Sequence, residues 1–149
     1  MDIRKEYIKL LNKLERTSPV RFYDSVQLDE MARNSRIGKK WNICNSWDLF
    51  IPNQRKPYSI LNTDDSSKSG THWVSVYQTK KNIYVYDSFG RSKKLMKPFV
   101  NKMKSMGYTV KFINNNGGEQ SENQYNCGLR CLLYLIFIDR YGLTKTRKI

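Results

Sequence analysis

Apolar positions in the first residues recur at helical spacing. Ile3, Tyr7, Leu10, Leu11 and Leu14 share one face of residues 2–16, and Thr17-Ser18-Pro19 ends that helix. A second, shorter helix is expected from Asp24 or Ser25, carrying Leu28, Met31 and Ala32, with Gly38 as its end. Residues 39–57 show no period; Trp41, Trp47, Leu49 and Phe50 read as anchors of an irregular segment. The pattern then turns to strands. Tyr58–Asn62 is one, and 72–77 and 83–87 are two more, joined by the short polar QTKKN and so predicted to form a β-hairpin. A polar loop, 63–70, precedes the hairpin. Residues 92–106 form a basic amphipathic helix. Leu95, Phe99, Met103 and Met106 make its stripe, Lys93, Lys94, Lys97, Lys102 and Lys104 surround it, and Pro98 falls in its first turns. A further strand spans 108–113 and a loop 114–118. The last helix, from Cys127 to Tyr141, is apolar nearly all round apart from Arg130, Asp139 and Arg140. That is the pattern of a buried central helix, and Gly142 suits its C-terminal cap.

A chain of 149 residues fits one domain, 1–149, with an N-terminal helical and irregular part (1–57) and a core (58–141). Hydrophobic content of 39% and aromatic content of 13% argue against disorder. The formal charge of +14 is spread along the chain. It predicts attraction to polyanions, nucleic acid first and anionic membrane second; the alternative is a basic surface that only aids solubility. Cysteines stand at 44, 127 and 131, with no CxxC pair, and His72 is the one histidine. This gives neither a disulfide framework nor a metal set, and implies a reducing compartment. The longest apolar run, 132–138, is seven residues, too short for a membrane span, and the N-terminus lacks an apolar signal core. A soluble protein, intracellular or carried inside a particle, is expected.

The chemistry centres on Cys127, which stands where a Gly- and Asn-rich loop meets the buried helix. A thiol there faces unpaired backbone N–H groups and the positive end of the helix dipole, and with an imidazolium nearby its pKa falls from about 8.5 to roughly 3.5–7.5. Cys131 is one turn further in and lacks that advantage. Gly128 would let a substrate backbone approach closely. The alternative for Cys127 is a buried structural cysteine. Any Cys–His mechanism in this chain must use His72. With the hairpin turn centred between Thr79 and Lys80, His72 faces Asp87; centred one residue later, it faces Phe89. In both registers His72 and Asp87 point to the same side of the sheet; a three-residue loop would break this parity. A carboxylate so placed holds the imidazole in one tautomer and stabilises its charged form. Asp87 read alone is equally a turn residue at a strand end. Gln120 and Gln124, seven and three residues before Cys127, are neutral amides able to donate to a developing oxyanion.

Read in order, Gly70-Thr71-His72-Trp73, Asp87-Ser88-Phe89-Gly90, Gln120 and Cys127-Gly128-Leu129-x-Cys131 resemble the superfamily of the adenovirus maturation protease (adenain) and the SUMO-type ubiquitin-like-protein proteases. The resemblance spans roughly 58–141, and its Cys-Gly-Leu-x-Cys segment is nearer to adenain. It implies an α+β fold: a central mixed, largely antiparallel sheet flanked by helices, with the catalytic Cys at the N-terminus of a buried central helix. It implies a Cys127 nucleophile, His72 as base, Asp87 as orienting acid and Gln120, at the family's spacing, as oxyanion donor. Trp73 and Gly128 would border the oxyanion and substrate cleft, Trp73 in a mainly structural role. The activity implied is a cysteine endopeptidase of viral or mobile-element maturation type, acting as a monomer on capsid- or core-type protein precursors with glycine near the cleaved bond. It would work in the host cytoplasm, nucleus or viral factory, or in the virion. No metal or organic cofactor is implied, though DNA bound without sequence preference, or an activating peptide paired with Cys44 or Cys131, would be accessories. A SUMO or ubiquitin-like-protein protease and a related acetyltransferase are the alternatives. A non-enzymatic nucleic-acid-binding module explains the charge but leaves the His–Asp–Gln–Cys order to coincidence.

Overall fold

The structure is a computed structural model that describes residues 2–17, 23–67, 72–88, 90, 92–113 and 126–149. Helix α1 (Ile3–Thr17) turns Ile3, Tyr7 and Leu11 inward, as the spacing predicts. Helix α2 (Ser25–Arg33) opens on a capping box in which Asp24 accepts from the Gln27 backbone and the Gln27 side chain accepts from the Asp24 N–H. It ends at Arg33, earlier than Gly38, which instead begins a 3-10 turn. A Cβ on Gly38 would lie 2.2 Å from the Arg33 carbonyl oxygen, so only glycine fits against the end of α2.

The segment read as irregular contains a strand, β1 (Trp41–Ser46). It escaped notice because its buried positions, Trp41 and Cys44, are three apart and a register irregularity lies between them, so the two-residue period of a strand never shows. The remaining strands are β2 (Tyr58–Asn62), β3 (Trp73–Gln78), β4 (Asn82–Tyr86) and β5 (Thr109–Phe112). They form one mixed sheet in sequence order, antiparallel at its centre (β2–β3, β3–β4) and parallel outside (β1–β2, β4–β5). Between β4 and β5 the chain crosses over through α3 (Ser92–Leu95) and α4 (Lys97–Ser105). The predicted single helix is split at Met96, and Pro98 falls in the first turn of α4, where its missing N–H goes unnoticed. The fold is α+β with helices on both sides of a mixed sheet.

Helix α5 (Cys127–Tyr141) is buried along most of its length. On one face of the sheet its Cys131, Leu132, Tyr134, Leu135 and Ile138 pack with Trp41, Tyr58, Ile60 and Tyr86 and with Leu28 and Ala32 of α2. On the opposite face Leu61, Val74, Val76, Ile83 and Val85 meet Met96, Phe99 and Met103. Helix α1 covers the back of α5, where Ile3, Tyr7 and Leu11 join Leu129, Leu133 and Phe137. Each fully buried Leu, Ile or Phe contributes about 1.5–3 kcal/mol, so α5, apolar on several sides, is anchored from both the sheet and α1. Its charged exceptions are partnered. Asp139 accepts from Arg36 Nε (2.7 Å), Lys40 Nζ (3.1 Å) and the Tyr58 hydroxyl (3.0 Å). A short helix, α6 (Leu143–Thr146), follows Gly142, which caps α5. Among the described residues no helix is long and apolar enough to cross a membrane.

Candidate active site

The hairpin sets the first two side chains. Ser75 faces Tyr86, Val76 faces Val85 and Gln78 faces Ile83, the later of the two registers considered. The Thr79 N–H donates to the Asn82 carbonyl at 2.9 Å across a turn of Lys80 and Lys81. The even turn preserves parity, so His72 and Asp87 lie diagonally, just beyond the paired residues. His72 Nε2 is 2.5 Å from Asp87 Oδ1. The carboxylate is buried and the imidazole side chain only 14% exposed. With Nε2 engaged, Nδ1 is the nitrogen left for the hydrogen bond that the ring also makes to Cys127.

Cys127 is the first residue of α5 and is half-buried, whereas Cys131 and Cys44 are buried. Burial raises the Cys127 thiol pKa, but the hydrogen bond and charge of His72, with the backbone N–H groups of Trp73 and Gly128, outweigh it and hold the thiol below the usual cysteine range. Burial likewise disfavours a charged His72; hydrogen bonds to Asp87 and Cys127 and their negative charge overcome it and raise its pKa from 6.5 to about 9. The pair therefore favours thiolate and imidazolium together. The other two cysteines go the opposite way. Burial, then the charge of Cys127, pushes Cys131 well up; burial, then Asp29 and Asp24, pushes Cys44 up.

Trp73 makes two contacts at this point. Its indole Nε1 donates to the Tyr23 carbonyl at 3.1 Å, fixing the ring in the core, while its backbone N–H faces the Cys127 sulfur. Gly128 is buried, and what approaches it closely is the protein itself. A Cβ there would lie 2.9 Å and 3.2 Å from the two methyls of Leu28 and 3.4 Å from Trp73 Cδ1. Position 28 and the Tyr23 carbonyl thus border the site without any local sequence signal. Asn126, directly before Cys127, also adjoins the site, and its place at a helix start is a recognisable capping position. Gln120, Gln124, Gly70, Thr71 and Phe89 lie outside the described residues. Among the described residues no cluster of three or more His, Cys, Asp or Glu side chains is placed to hold a metal.

An adjoining imidazole, carboxylate and low-pKa thiol at a helix mouth are suited to nucleophilic acyl transfer. Comparison with known proteins points the same way. The family model described as adenovirus endoprotease matches residues 44–148, beginning within β1 and running through α5. A search of curated proteins gave no significant match. The match covers most of the 149 residues, and the chain belongs to the adenovirus endoprotease family, a cysteine peptidase of viral type.

Proposed function

We propose that this protein is a cysteine endopeptidase that processes viral protein precursors with Cys127 as nucleophile, His72 as acid–base, Asp87 as the group orienting His72, and Gln120 as an oxyanion donor. The observation that carries the reading is the contact set His72–Asp87 and His72–Cys127 at the start of α5. In this scheme the Cys127 thiolate attacks the scissile carbonyl. The tetrahedral oxyanion is held by the Gln120 amide and by backbone N–H groups beside Cys127. His72 gives its proton to the leaving amine as the C–N bond breaks, leaving a thioester. It then takes a proton from water, whose oxygen attacks the thioester; the C–S bond breaks, the acid product leaves, and the thiolate is restored beside the imidazolium. The backbone N–H of Trp73 supports its assignment to the cleft, since it already faces the sulfur.

The finer reading extends to glycine beside the scissile bond, to capsid- or core-type substrates cut in the infected cell or virion, and to a monomer that binds DNA without sequence preference. Exposed Lys93, Lys94, Lys97 and Lys104 on α3 and α4 support a polyanion-binding face. Lys102 is held apart from it, donating to the carbonyls of Asp48 and Phe50.

The test offers three substrate classes to the purified protein: internally quenched peptides with and without glycine before the scissile bond, a SUMO-tagged protein, and acetyl-CoA with a Lys/Ser acceptor. The reading expects peptide cleavage favouring glycine and abolished by Cys127→Ala. Tag removal alone, or acetyl transfer alone, would replace it with one of the alternatives.

A further inference from the structure

Asn126 occupies the N-cap of α5, with φ −103° and ψ 29°. Asparagine there ordinarily accepts from the N–H of the second or third helical residue, here Gly128 or Leu129. This one makes no such bond. Its Oδ1 instead accepts from Arg130 Nε at 2.7 Å, and its Nδ2 donates to Glu15 Oε1 in the last turn of α1. Asn126 is 9% exposed and Arg130 3%, so a carboxylate at the surface is linked through one amide to a buried guanidinium. Such a chain polarises the amide along its length and holds it in one orientation.

The orientation has a chemical consequence. An oxygen capping Gly128 or Leu129 would compete with the Cys127 sulfur for the Gly128 N–H, and would offset the positive end of the helix that favours a thiolate. We propose that Asn126 is a positioning residue of the active site, held by Glu15 and Arg130 away from the mouth of α5 so that the first N–H groups stay open to the sulfur and to the reacting carbonyl. The inference rests on Cys127 being the nucleophile. It also gives α1 a part in the chemistry, although α1 lies outside residues 44–148, which the family match covers.

The test measures alkylation of Cys127 by iodoacetamide against pH, with kcat and KM, in four variants. Asn126→Ser places a short capping hydroxyl at the helix mouth and cannot span to Glu15 and Arg130. Its alkylation at neutral pH is expected to slow about tenfold, the pH midpoint to rise by about one unit, and kcat to fall with KM within about twofold. Glu15→Ala, a change at an exposed position, should slow alkylation about threefold by releasing the amide, and Glu15→Gln, which keeps the accepting oxygen, should restore most of it. Glu6→Ala removes another α1–α5 bond, from the Tyr141 hydroxyl at 2.6 Å, and should leave alkylation unchanged. If Glu15→Ala and Glu6→Ala act equally, or Asn126→Ser leaves rate and midpoint unmoved while Cys127 is the labelled thiol, the inference is overturned. A wild-type Cys127 inert to the reagent would overturn the nucleophile assignment and this inference with it.

Discussion

His72 and Asp87 meet on a diagonal beyond the end of the β3–β4 ladder, Nε2 to Oδ1 at 2.5 Å, because the turn at Lys80 and Lys81 places Tyr86 opposite Ser75. The contact depends on two things only, an even turn and strands of matched length. Asp87→Asn keeps the shape but offers the ring a donor where it had an anion, favouring the wrong tautomer. A fall in kcat on the order of 10²–10⁴ is expected, with KM little changed. Steady-state kinetics giving an Asp87→Asn enzyme within a few-fold of wild type would remove Asp87 from the orienting role.

The raised His72 pKa makes a pH prediction with a definite sign. Its folded value, about 9, stands above the ordinary 6.5, so the charged ring's contribution to stability is complete below pH 6.5 and disappears as pH rises through about 9. The stability difference between wild type and His72→Gln should therefore be largest on the acid side of that window and shrink across it. Activity follows the same limit, since the imidazolium must protonate the leaving amine: kcat/KM should hold through neutrality and fall near pH 9. Urea titrations and rates across pH 6–10 measure both. An alkaline limb at 6.5 would mean that His72 titrates as an isolated histidine.

Gly128 is enforced by packing. The methyls of Leu28 stand 2.9 Å and 3.2 Å from the position of an added Cβ, and Leu28 is fully buried. Gly128→Ala should cost about 1–3 kcal/mol and lower kcat, because displacement of Leu28 and Trp73 disturbs the backbone N–H beside the sulfur. Shortening the obstacle relieves the clash, so Gly128→Ala combined with Leu28→Ala should destabilise by less than the two changes added. Simple additivity in urea unfolding would contradict this origin for the glycine.

Gln120 and Gln124 separate by substitution. Gln120→Ala is expected to reduce kcat about 10²–10³-fold, the usual loss for one oxyanion donor, and Gln124→Ala to have little effect. The reverse order of losses would transfer the role to Gln124.

Much of this architecture was legible in the amino-acid pattern, and the exceptions have physical causes. Periodicity exposed α1, α2, β2 to β5 and α5, and, given an even turn, the parity of a two-residue repeat put His72 and Asp87 on one side of the hairpin before the register was known. β1 was hidden because WNICNS is rich in polar, poorly strand-forming residues and carries a register irregularity. The charged residues of α5 stood out as exceptions, but their partners did not: Asp139 answers to Arg36, Lys40 and Tyr58, and Arg130 is joined through Asn126 to Glu15. Apart from the Asn126–Arg130 bond, these contacts join residues far apart along the chain and leave no trace in a local window. Gly128 shows a different limit: the sequence suggested room for a substrate backbone, and the packing shows that Leu28 and Trp73 fill the approach instead.

The central claim is that Cys127, and neither of the other two cysteines, is the reacting thiol. An electrophilic peptide probe applied at neutral pH to wild type, Cys127→Ala, Cys131→Ala and His72→Ala, with the modified residue read by mass spectrometry, tests it directly. The account predicts an adduct on Cys127 in wild type and Cys131→Ala, none in Cys127→Ala, and strongly slowed labelling in His72→Ala. An adduct on Cys131 or Cys44 with Cys127 unmodified would contradict it.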